Sequence, residues 1–305
     1  MSIPIIEKII GSSRITRNNL SVHYSTGACA IACDGFLSIV LPKDEKRYDL
    51  EVSNDCREIT AISFSNNGQH LVIGETGPNA RFFVVTFSDQ FDRILTKNET
   101  KTKENGFSCL AMNSESGRLI TVGNDSQPFF VLWDLTQPRT TCIGCYHLPT
   151  IPTHLNISND SNFAIVTGKG MLKFIDTSIP SNNNPVILKS KNGNIGQFKD
   201  SNFVSCAISV ESPHSAYGLT DTGILCYFDS SSIPFKSHGQ NLISTVPICL
   251  NCGETTSLSL DKKIILVGTA TGSVLVIRKK NNTHETFGQF SSDGKGVVAI
   301  GIGER

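Results

Sequence analysis

One pattern returns five times along the chain: an alternating strand, a polar turn, an apolar strand ending at glycine, a short polar loop and a third strand. The copies are ITAISFSNNGQHLVIGETGPNARFFVVTF from Ile59, SCLAMNSESGRLITVGNDSQPFFVLWDL from Ser108, PTHLNISNDSNFAIVTGKGMLKFIDT from Pro152, VSCAISVESPHSAYGLTDTGILCYFDS from Val204 and TTSLSLDKKIILVGTATGSVLVIRKK from Thr255. Their equivalent glycines, Gly74, Gly123, Gly168, Gly218 and Gly268, recur at about 45 to 50 residues. At that period each copy is one small sheet that cannot bury its own apolar face and must stack on the next. Between copies, FDRILTK at Phe91, TTCIGCYHL at Thr140, PVILKS at Pro185 and ETFGQF at Glu285 read as fourth strands. A degenerate unit, NLSVHYSTGACAIACDGFLSIVLPKDEKRYDLEV, precedes the first copy, with Asp34-Gly35 as its hairpin turn.

The expected fold is therefore all-β, a WD-repeat β-propeller of about seven blades. Strand density alone would also suit a sandwich or barrel, but the long glycine period favours the propeller. Six blades lie near 19–54, 59–100, 108–148, 152–190, 204–248 and 255–291. Residues 296–305 resemble the first strand of one more blade with nothing behind it, so the ring looks unfinished. An open sheet edge invites promiscuous pairing, and the apolar IPIIEKII of residues 3–10 could close the ring. Alternatively, the chain is the N-terminal part of a larger protein.

Trp133-Asp134 ends the third strand of its unit, where other units place Ile175-Asp176, Phe228-Asp229, Val85-Thr86 and Ile277-Arg278. The shared pattern is a buried apolar residue followed by a polar one. Trp133 is expected to pack between adjacent sheets, and Trp133, Asp134, Asp176 and Asp229 are given structural roles.

GNIGQFKDSNFVSCAIS, Gly193 to Ser209, followed by TDTGILCYFD, Thr220 to Asp229, resembles the fifth-blade region of the mitogen-activated protein kinase-binding protein family, whose other well-known member is the microcephaly-associated WD-repeat scaffold. LVIGETGPNARFFVV, Leu71 to Val85, resembles that family's Gly-Glu-x-Gly loop before a third strand. The resemblance runs from about Ile6 to the end and is to the family's N-terminal propeller. It implies the first half of a tandem propeller pair in a large cytoplasmic scaffold, linked to centrosomes, spindle microtubules or kinase signalling. In that family kinase docking belongs mainly to regions after the propellers.

Lys plus Arg and Asp plus Glu both number 27, so no global field draws the chain to nucleic acid or anionic lipid. The basic groups Lys189, Lys191, Lys199 and Arg278, Lys279, Lys280 are read as solvated blade edge, with a microtubule patch as the rival. No run reaches the roughly 18 apolar residues of a membrane helix. No signal peptide is recognised, and the ten cysteines are expected reduced in an intracellular setting. Cys142-x-x-Cys145 and Cys249-x-x-Cys252 have zinc-knuckle spacing. Three positions along a strand, however, should turn the two thiols of a pair to opposite faces. His147 and His154 lack the companions of a metal site or general base. No phosphate-cradling Gly-x-x-x-x-Gly-Lys-Ser/Thr loop, nucleophile elbow or His-Glu-x-x-His occurs.

The expected function is a non-catalytic protein-interaction module of an intracellular scaffold, with no cofactor or metal. Its alternative is a microtubule- or flagellum-associated structural propeller. Partners are proteins or peptides, including signalling kinases or cytoskeletal proteins by the resemblance. Function in such folds sits on loops. The loops between second and third strands should gather Glu75, Asn79, Asn124, Asp125, Gln127, Lys169, Asp221 and Thr222 on one rim.

Overall fold

The computed structural model describes residues 18–23, 26–41, 43–52, 55, 57–65, 67–113, 115–137, 139–179, 184–209, 215–229, 242–243, 245–261, 263–280, 283–291, 296–297 and 299–302. Its first blade is β1 (Leu20–Val22), β2 (Cys29–Cys33), β3 (Phe36–Leu41) and β4 (Lys46–Glu51). The second is β5 (Ile59–Phe64), β6 (His70–Glu75), β7 (Arg81–Phe87) and β8 (Ile94–Lys101), and the third is β9 (Phe107–Asn113), β10 (Arg118–Gly123), β11 (Phe129–Asp134) and β12 (Thr141–His147). The fourth is β13 (His154–Ile157), β14 (Phe163–Gly168), β15 (Met171–Asp176) and, after the short β16 (Val186–Ile187), β17 (Ser190–Gly193). The fifth is β18 (Phe203–Ile208), β19 (Ser215–Thr220), β20 (Ile224–Asp229) and, after the short β21 (Leu242–Ile243), β22 (Thr245–Cys249). The sixth is β23 (Thr255–Leu260), β24 (Ile264–Thr269), β25 (Ser273–Lys280) and β26 (Thr283–Ser291).

Within each blade the four main strands pair antiparallel in chain order. The inner strands β1, β5, β9, β13, β18 and β23 pack side by side around the axis and line a central cavity of about 500 Å³. Local chemistry sets the hairpins: Asp34 adopts φ 52° in the two-residue turn between β2 and β3, a left-handed conformation that aspartate tolerates.

Apolar residues on alternate strand positions meet across blade boundaries, and five core clusters fill the five successive interfaces. Phe174 of blade four meets Phe228 of blade five edge to face at 5.5 Å. Two of the repeated glycines belong to this packing. A Cβ at Gly74 would fall 2.7 Å from the Phe107 ring, and one at Gly218 would fall 2.5 Å from Leu172 Cδ1. At these two positions the period seen in the sequence marks where one blade presses on the next, whereas Gly123 faces Glu104 and Gly168 faces Met171 of its own hairpin.

Two expectations are corrected. The described residues form six sheets, not about seven. The tail that resembles a seventh first strand does lie at the inner-strand position between blades six and one, but without strand pairing. Val297 N–H donates to Thr269 O at 2.9 Å, Thr256 donates its hydroxyl to Val297 O, and Gly301 abuts Val22 of β1. Closure by residues 3–10 lies outside the described residues.

The second correction concerns PVILKS, expected as the fourth strand of blade four. Val186–Ile187 instead crosses back to pair parallel with β12 of blade three, and Ser190–Gly193 supplies the fourth strand. The excursion anchors apolar Leu188 in the interface between blades three and four. β21 repeats the device, pairing parallel with β17 of the preceding blade. Both cover an otherwise open sheet edge.

Candidate functional site

The loops between second and third strands and the linkers entering first strands lie at the same end of the sheets, and backbone hydrogen bonds zip them together. Thr76 N–H donates to Glu58 O (2.9 Å), Asn124 to Gly106 O (3.1 Å), Asp221 to Asn202 O (2.8 Å) and Ala270 to Glu254 O (2.9 Å). Further bonds reach the next blade's linker: Gly77 N–H to Asn105 O, Gly170 N–H to Ser201 O and Thr255 N–H to Asp221 O, each 2.9 Å. A continuous rim results, with much of its backbone polarity consumed internally and its side chains left to solvent.

Asn79, Asn124, Gln127, Lys169 and Thr222 are exposed on this rim, and Asp125 and Asp221 are half-buried. Asp125 accepts a hydrogen bond from Asn105 Nδ2 at 2.7 Å. Asn79 holds φ 53°, so its place in the loop is also a turn requirement. Glu75 differs from the rest. It has no exposure, and its carboxylate accepts from Arg81 Nε at 2.8 Å. Arg81 also reaches Asp55, which pairs with Arg57 at 3.0 Å. Glu75 therefore braces the rim from beneath, a position that the alternating pattern of HLVIGE did not reveal.

At the axis, Asn18 donates its side-chain amide to Ser108 O at 2.6 Å and to Thr153 O at 3.3 Å, tying blades three and four, while Ile62 N–H donates to Asn18 O at 2.8 Å. Nothing in the sequence around Asn18 marks this role, because its partners are main-chain atoms far away in the chain.

The structural residues are placed as follows. Trp133 packs against Phe82 at 5.4 Å, between blades two and three, and donates Nε1–H to Thr121 Oγ1 at 2.9 Å. Asp134 is buried and accepts from the Thr136 amide (2.8 Å) and hydroxyl (2.6 Å), with Arg118 facing its other oxygen at 3.8 Å. Asp176 repeats the turn with the Ser178 amide (3.0 Å) and hydroxyl (2.6 Å). Asp229 ends β20 opposite Ser215, and its side chain lies outside the described residues.

The thiol argument needs correction at one pair. A bulge at Ile143 sets Cys142 opposite Trp133 and Cys145 opposite Val131. Those partners are two residues apart, so both thiols share a face. Among the described residues no three His, Cys, Asp or Glu side chains are grouped to hold a metal. His147 stacks edge-on against Phe129 at 5.3 Å. His154 Nδ1 accepts from Cys206 N–H at 3.3 Å and lies 3.4 Å from its sulfur. Burial pushes the Cys206 thiol well up and the Cys109 thiol up to about 12, which suits packing rather than nucleophilic chemistry. Of the basic residues, Lys191 is buried. Lys279 donates to Ser209 Oγ at 3.1 Å, and Arg278 covers the Phe287 ring at 4.0 Å.

No model of a known protein family matches the chain. The fold on which this rim stands is that of an all-β propeller of six blades among the described residues. Among individual proteins, the chain is similar to mitogen-activated protein kinase-binding protein 1 of Mus musculus, 23% identical over 282 residues that make up 90% of this chain and 18% of the relative. The chain thus spans less than a fifth of that relative's length. A chain in the crystal structure of the mitotic checkpoint complex superposes with TM-score 0.68 at 12% identity, covering 99% of this chain and 90% of its own. Chaetomium thermophilum Raptor superposes with TM-score 0.67 at 11% identity, covering 96% of this chain and 26% of that one. At such identities these two likenesses show the fold alone.

Proposed function

We propose that this chain is a non-catalytic interaction module that presents Asn79, Asn124, Asp125, Gln127, Lys169, Asp221 and Thr222 to protein or peptide partners within a larger intracellular scaffold. The observation that carries the reading is the zipped rim. Much of its backbone is committed to bonds between blades, so polar side chains stand on a support that loses little entropy on binding. The similarity to a kinase-binding protein supports kinase signalling as the setting, with cytoplasmic or centrosomal residence following from that setting. Affinity purification from cells tests the idea with Asn124, Asp125, Gln127, Asp221 and Thr222 changed together to Ala and Asn79, whose backbone is left-handed, changed to Gly. Partners captured by the wild type should be lost while the thermal midpoint is kept. Retention of every partner would remove the rim from consideration.

A further inference from the structure

Beside the Lys169 hairpin the rim opens into a second cavity, of about 390 Å³. Its floor is the buried pair Met171 and Leu172. Its walls carry Lys173, Lys199, Asn192 and Asn194, and no aspartate or glutamate lines it. Lys173 is held in place by donating to Asn192 Oδ1 at 2.7 Å, with the Tyr146 ring 5.7 Å from its ammonium. Among the described residues neither Lys173 nor Lys199 lies within ion-pair distance of a carboxylate. Asp200, the neighbour of Lys199 in the chain, is not part of the lining.

The wall between the lysines is the linker Gly193–Lys199. Ile195 sits at φ −84°, ψ −6°, and Gly196 at φ 45°. A right-handed residue followed by a left-handed one turns successive backbone N–H groups toward one side, although the Ile195 N–H already donates to Gly193 O at 2.9 Å. Two glycines let the lining segments approach closely. A Cβ at Gly170 would fall 2.6 Å from Lys199 O, and one at Gly193 would fall 2.7 Å from Leu172 and Phe228.

A concave, acid-free site lined by two lysines and two asparagines suits one compact, multiply accepting anion. A nucleic acid needs a longer basic track than two lysines on a chain of zero net charge. We propose that this cavity receives the phosphorylated serine or threonine side chain of a protein partner. The idea deepens the reading of the rim as an interaction surface and uses different residues from the alanine set above, so either can fail without the other.

The test is a titration of the isotopically labelled chain, followed through its amide resonances, with N-acetyl-phosphothreonine N-methylamide and, separately, N-acetyl-glutamate N-methylamide. The phosphothreonine probe should shift the Gly193, Asn194, Gly196 and Lys199 amides saturably, and the glutamate probe should do so at least several-fold more weakly. Lys173→Gln combined with Lys199→Gln should weaken binding at least tenfold, since both charged donors are lost, while keeping the wild-type thermal midpoint. Unmoved amides, equal response to both probes, or undiminished binding by the double variant would each overturn the assignment.

Discussion

Replacing Trp133 by Ala removes the only tryptophan of the chain from the interface between blades two and three. Burying an indole against a phenyl ring and then deleting it costs about 3 to 5 kcal/mol in well-packed sites. Trp133 is half-buried, so the lower end, about 3 kcal/mol, applies. The hydrogen bond to Thr121 contributes about 1 kcal/mol of this. Trp133→Phe should therefore lose about 1 to 2 kcal/mol, with Thr121, buried, left without its indole donor. At about 2.1 cal/mol/K per residue, a chain of 305 residues unfolds with an entropy near 0.64 kcal/mol/K, so Trp133→Ala should lower the thermal midpoint by about 5 °C. Circular dichroism is the assay, since the variant has no tryptophan fluorescence to follow. A cycle with Thr121→Val should return a coupling of about 1 kcal/mol between Trp133→Phe and Thr121→Val. A midpoint within about 1 °C of wild type for Trp133→Ala would refute an inter-blade role for the ring.

Asp134→Ala strips both Thr136 hydrogen bonds and the carboxylate facing Arg118. By calorimetry it should cost about 2 to 3 kcal/mol, and Asp176→Ala, at a half-buried site, less. Gly301→Val would collide with Val22, so hydrogen exchange at the Val297 amide, bonded to Thr269, should accelerate while β5 exchanges as before. Burial lowers the pKa of His23, His70 and His284 below 6.5, with Lys279 adding to the effect at His284. The unfolded chain then binds more protons, so their contribution to stability is complete above 6.5 and declines as pH falls through it. The thermal midpoint should drop between about pH 7.5 and about pH 5, and His284→Gln should flatten part of that drop.

The blades were legible in part because the force that stacks them leaves a mark: at Gly74, Gly218 and Gly268 the glycine stands where Phe107, Leu172 and Val297 press on a sheet not their own. Trp133 was legible for the same reason, as one instance of a repeated apolar strand end. What escaped the sequence depends on contacts that leave no periodic trace. Val186–Ile187 has the composition of any strand, and only the anchoring of Leu188 under blade three decides which sheet it joins. Glu75 looks like a loop residue until Arg81 is seen to draw it inward. The shared face of Cys142 and Cys145 follows from a single bulged residue that strand alternation cannot foresee. The cavity between Lys173 and Lys199 joins a hairpin to a linker, so its parts are separated in the sequence and united only by the turn into blade five.

Ring closure through the two ends of the described chain is the claim on which blade number and rim both depend. Nuclear Overhauser contacts of the Val22 methyl groups, in selectively methyl-labelled protein, test it directly. The account predicts a cross-peak to the Gly301 α-protons, joining blade one to the tail that follows blade six. Val22 contacts confined to its own hairpin and to blade two would mean that the six sheets do not close through this tail.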